Sequence, residues 1–96
     1  MKAIPHNVVA YQRTKEFDEA TVPAGLLRSH TTKAGTWGRI CVLEGALTYR
    51  ILGPELETHT LVPEHDGVVE PEVPHEVETD GRVRFFVEFL RKDPDG

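Results

Sequence analysis

Glycine and proline interrupt this chain so often that it reads as a string of short strands. Its 96 residues carry 8 glycines and 7 prolines. They are spread evenly along the sequence, and each marks a turn or a break. Between the breaks, apolar and polar residues alternate with a period of two, the pattern of half-buried strands. Residues 82–91 show it best. Val83, Phe85, Val87 and Phe89 fall on one face, and Arg84, Phe86, Glu88 and Leu90 on the other. Residues 8–11 predict an edge strand. Residues 14–20 are charged around a single Phe17 and predict a loop or one helical turn. Residues 37–43 and 46–52 predict a hairpin closing at Glu44-Gly45, where a positive φ calls for glycine. Gly53-Pro54-Glu55 is the next turn, followed by a return strand at 58–62. Regularly spaced short strands of this kind predict a sandwich or barrel.

The expected architecture is all-β: one small domain over residues 1–96, with a core at about 5–91 and a frayed tail at 92–96. Leu26, Ile40, Val42, Leu47, Tyr49, Ile51, Val69, Val77, Phe85, Val87 and Phe89 are the residues expected inside. A net charge of -5 argues against binding nucleic acid, because too few cations face the phosphates. Cys41 has no second thiol to pair with and suits a reducing compartment. No apolar leader or span-length stretch is present, so a soluble cytoplasmic protein without a membrane partner is expected. Open sheet edges on so small a domain predict a homodimer.

Two histidines attract attention. His30 follows Gly25, and His75 ends the run Gly67-Val68-Val69-Glu70-Pro71-Glu72-Val73-Pro74. Each reads as a histidine beside a tight turn, one in each half of the chain. If the halves fold together the imidazoles converge, and neutral histidine is a common metal ligand. Glu88 interrupts an apolar strand, where a buried carboxylate needs a partner. A metal would serve, and so would Arg39 on a neighbouring strand, which is the slightly preferred partner. Strand alternation puts Arg28 on the side of His30, where it lines the cavity or stays at the rim. Trp37 is expected at the barrel mouth, packing or covering a ligand. Glu70 is a further candidate for the pocket, while His6, His59 and His65 lie in polar text and are expected to face solvent.

Several of these segments resemble cupins. Val42-Leu43-Glu44-Gly45-Ala46-Leu47 is similar to the strand-turn-strand after the first cupin motif, and Gly67-Val68-Val69 through Val73-Pro74-His75 to the second. Val22-Pro23-Ala24-Gly25-Leu26, His30-Thr31-Thr32-Lys33-Ala34-Gly35-Thr36-Trp37 and Phe86-Val87-Glu88-Phe89 resemble the tellurite-resistance small cupins, the TehB-like and YeaR-like domains. The resemblance runs from about Pro5 to Phe89. It implies a short antiparallel barrel or jelly roll and a stress-response role. The domain would bind a divalent metal, zinc first and iron or nickel next, and a small-molecule or oxyanion ligand. In this chain His30 and His75 would be the metal ligands, with Glu88 as a third. Arg28, Glu70 and Trp37 would line the ligand pocket. The sequence departs from the full motifs, with Thr32 in the second histidine slot and Gly38 in the glutamate slot. A metal-free module holding a metabolite through histidine hydrogen bonds, and an iron-dependent oxygenase of thiols or small acids, are the alternatives. Catalytic residues are not assigned.

Overall fold

A computed structural model describes residues 1–95. It contains eight strands and one short 3-10 turn: β1 (Val8–Arg13), β2 (Phe17–Asp18), the turn Ala24–Leu27, β3 (Trp37–Gly45), β4 (Leu47–Ile51), β5 (Glu57–Leu61), β6 (Gly67–Val69), β7 (His75–Glu78) and β8 (Val83–Lys92). All strand pairing is antiparallel. The larger sheet runs β1-β8-β3-β6, with β2 also on β8, and the smaller runs β5-β4-β7. The chain is all-β, as the alternation predicts. Among the described residues the two sheets stay separate and do not close into the expected barrel.

The core lies between the sheets. Ile40, Val42, Phe85 and Val87 face inward from the larger sheet and meet Leu47, Tyr49, Ile51 and Val77 from the smaller. Nine of the eleven residues expected inside are buried, while Leu26 and Phe89 are partly buried against the same cluster. Burying each large apolar side chain contributes roughly 1.5–3 kcal/mol before the cost of ordering it. Phe17, Leu61 and Val83 belong to this core as well. Phe17 corrects the reading of residues 14–20: the segment holds a two-residue strand, with Phe17 opposite Phe85.

Gly45 takes a positive φ of 78° as expected, but it closes no hairpin. β3 pairs with β8 and β6, whereas β4 pairs with β5 and β7. The register shifts between Val42 and Glu44, so a bulge bends β3 just before the chain passes from one sheet to the other. The Gly45-Ala46 step is thus a corner between sheets. β8 runs one residue past Arg91, placing Lys92 opposite Val8, and the Asp93 amide donates to the Asn7 carbonyl at 2.9 Å. Gly96 lies outside the described residues. No helix among the described residues is long and apolar enough to cross a membrane.

Candidate functional site

The side chains between the sheets leave a cavity of about 260 Å³. Val69, Val77, Phe85 and Val87 form much of its wall, and Leu26 in the 3-10 turn lies over one side. Gly38 contributes space. It lies on the inward face of β3 opposite Val69, and a Cβ there would sit 3.1 Å from the Val69 Cβ. The slot that carries a glutamate in the full cupin motif therefore holds no side chain at all.

His30 and His75 both border this cavity. They do converge, and the backbone is the reason. The His30 amide donates to the His75 carbonyl and the His75 amide to the His30 carbonyl, each at 2.9 Å, so the His30 segment pairs with β7. That pairing is a single bridge rather than a strand around His30. The rings meet edge to face with centroids 5.4 Å apart. His75 is buried and also stands edge-on to Tyr49 at 6.0 Å, whereas His30 is exposed at the rim. Burial first, and the neighbouring His30 after it, hold the His75 pKa below its ordinary 6.5, although the hydrogen bond to Val73 acts the other way. The neutral ring is the favoured form.

The other expected site residues lie elsewhere. Glu88 points to the outer face of the larger sheet, away from the cavity. There it accepts from Arg39 Nη1 at 2.8 Å and stands 3.5 Å from Arg13 Nη2. The structural partner anticipated for this carboxylate is thus Arg39. Trp37 is half-buried on that same outer face, opposite the buried Leu90. The alternation that sends Gly38 and Ile40 inward sends Trp37 outward, a signal already present in the sequence. Arg28 is exposed at the end of the 3-10 turn and is not part of the cavity wall. Glu70 stands 3.4 Å from Lys2 Nζ and likewise does not line the cavity. His6 and His65 are exposed as expected. His59 is half-buried, with Nε2 3.0 Å from Glu57 and its ring against Tyr49. Val69, Val77, Phe85 and Val87, expected in the core, also frame this space. Gly38 was the available clue.

Fold and cavity together define an all-β domain of two facing sheets with a small apolar chamber between them. Residues 12–87 match the TehB-like domain family, and the chain belongs to that family. Among curated relatives, it is 32% identical over 77 residues to the probable S-adenosyl-L-methionine-dependent methyltransferase TehB of Haemophilus influenzae strain Rd. It is 31% identical over 77 residues to the protein of that name in strain 10810. In both cases the alignment takes in 76% of this chain but only 27% of the relative, so the chain spans about a quarter of their length. The crystal structure of TehB from Haemophilus influenzae superposes with a TM-score of 0.82 at 28% identity, covering 91% of this chain and 32% of that one. A protein from E. coli strain K12 superposes at 0.83 with 26% identity, over 97% of this chain and 99% of that one.

These findings correct the metal-binding expectation. The TehB-like part of the resemblance holds, but the assignment to metal-binding small cupins does not, since the relatives are named as methyltransferases. The cofactor in their names is S-adenosyl-L-methionine, not zinc, iron or nickel. Among the described residues, moreover, no group of three or more His, Cys, Asp or Glu is placed to hold a metal ion. The physical reason is strand parity. His30 and His75 come together, Gly38 replaces the carboxylate, and Glu88 faces the other side of its sheet.

Proposed function

We propose that this chain works as the β domain of a TehB-type methyltransferase system, holding a small, largely apolar molecule between its sheets. The observation that carries the reading is the chamber itself, in a domain similar to one quarter of proteins named as S-adenosyl-L-methionine-dependent methyltransferases. The facing sheets are read as the two halves of a jelly roll.

S-adenosyl-L-methionine does not suit this chamber. Its sulfonium, ammonium and carboxylate groups and its ribose hydroxyls all need polar or charged partners once removed from water. Among the described residues no Asp, Glu, Lys or Arg belongs to the wall, and about 260 Å³ falls below the roughly 300–1,000 Å³ usual for drug-sized ligands. An oxyanion likewise meets no lysine or arginine there. In this reading the cofactor is held by the part of the relatives to which this chain does not correspond, and the β domain handles the other molecule.

A chimera tests the division. With this chain replacing the matching segment of Haemophilus influenzae TehB, methyl transfer is measured before and after Val87→Phe fills the chamber. The expected result is a KM for the methyl acceptor raised about tenfold or more, with the KM for S-adenosyl-L-methionine unmoved. A rise confined to the cofactor's KM contradicts the reading.

A further inference from the structure

His75 gives the chamber its polarity. The side chain belongs to a residue only 5% exposed, and Nδ1 lies 3.0 Å from the Val73 carbonyl oxygen. A carbonyl only accepts, so in the neutral ring Nδ1 carries the proton and Nε2 presents a lone pair. Among the described residues no protein group bonds to Nε2. No buried side-chain nitrogen or oxygen among them is sealed off without a partner either, so Nε2 keeps accessible surface, on a residue that lines the chamber.

The other polar side chains of the wall are half-buried or exposed. Thr14 Oγ1 donates to the Lys15 carbonyl at 2.8 Å and accepts from the Val87 amide at 3.0 Å. Thr32 Oγ1 donates to the Thr36 carbonyl at 2.8 Å. His30 stands exposed at the rim. The interior therefore offers apolar walls with His75 as the one buried polar side chain among the described residues that line it.

We infer that the chamber selects a small neutral molecule with an apolar body and one protic group (a hydroxyl, N–H or thiol) that donates to His75 Nε2. The inference rests on reading the chamber as a binding site and adds the chemical class of its occupant. A molecule that can only accept sets its lone pair against that of Nε2, and an ion loses its hydration without compensation. Size agrees, since an engineered apolar cavity of about 150 Å³ already takes benzene, and about 260 Å³ holds one substituted ring. A protic heteroatom is also a group that many methyl acceptors carry.

Phenol and anisole share a ring and differ in the donor, so they serve as probes. Each is titrated into the ¹⁵N-labelled chain and into His75→Phe, and the ratio of anisole to phenol Kd is compared between the two proteins. That ratio is expected to fall about tenfold in the variant, because only the phenol loses a hydrogen bond. In the wild-type chain, which requires no substitution to fold, the Nε2 resonance is expected to be unprotonated and to shift with phenol but not with anisole. If both probes bind with the same ratio in the two proteins, or if Nε2 carries the proton, the donor selectivity is overturned while the binding site stands. If neither probe binds at millimolar concentration, the binding-site reading falls and takes the inference with it.

Discussion

At Gly45 the backbone holds φ at 78°, and the space a Cβ would need is taken by the Arg82 carbonyl. Gly45→Val meets both obstacles. It is expected to lower stability by about 2–3 kcal/mol, read as a reduced urea midpoint with an unchanged slope. The need for glycine was legible in the sequence, but its purpose was not, because a corner between sheets and a hairpin turn can share the same local text. His75 supports a second prediction at this scale. Its folded-state pKa lies below the ordinary 6.5 because burial disfavours the charged ring. The unfolded chain then binds the extra proton first. Stability from His75 is complete above 6.5 and is lost as pH falls from there through the lower folded-state value. His75→Asn keeps a donor for Val73 but cannot titrate. The stability gap between wild type and this variant should narrow as the pH drops from 7.5 towards 5. A constant gap would show that the ring does not titrate differently in the folded protein.

Among the elements, β8 shows both the reach of strand alternation and its limit. Period two correctly sends Phe85 and Val87 into the core and Glu88 to the opposite face. It does not say what waits on that face. Arg39 lies directly opposite Glu88 in the β3–β8 register, so the ion pair is a cross-strand pair on a partly covered surface. A double-mutant cycle with Arg39→Met and Glu88→Gln is expected to give a coupling of about 1 kcal/mol, with the single variants still folded. A coupling of zero would show that the Arg39–Glu88 contact does not stabilise the strand pair. β2 was illegible for a different reason. One phenylalanine among charges carries no period, and Phe17 finds its place only through long-range pairing with β8. The partner sheet of β4 was hidden in the same way: adjacency in sequence favours β3, while the register that buries Leu47, Tyr49 and Ile51 lies with β5 and β7.

For the whole molecule, two features of the site could be read before the fold and two could not. The convergence of His30 and His75 and the apolar character of the walls follow from residue types and alternation. That the walls stand apart around about 260 Å³ depends on how two sheets pack, and that Arg28 and Glu70 stay off the cavity wall depends on the non-strand segments that carry them. With no third ligand among the described residues the imidazole pair does not make a metal centre, and a buried neutral histidine in apolar surroundings suits a small uncharged guest. Under the proposed function this chamber receives such a guest and does not take up S-adenosyl-L-methionine. Methyl-resolved spectra of the chain, recorded with phenol and separately with S-adenosyl-L-methionine, test it directly. Phenol is predicted to shift the methyl resonances of Val69, Val77 and Val87 while S-adenosyl-L-methionine leaves them in place. Stoichiometric displacement of those same resonances by S-adenosyl-L-methionine, or their indifference to both molecules, would contradict the claim.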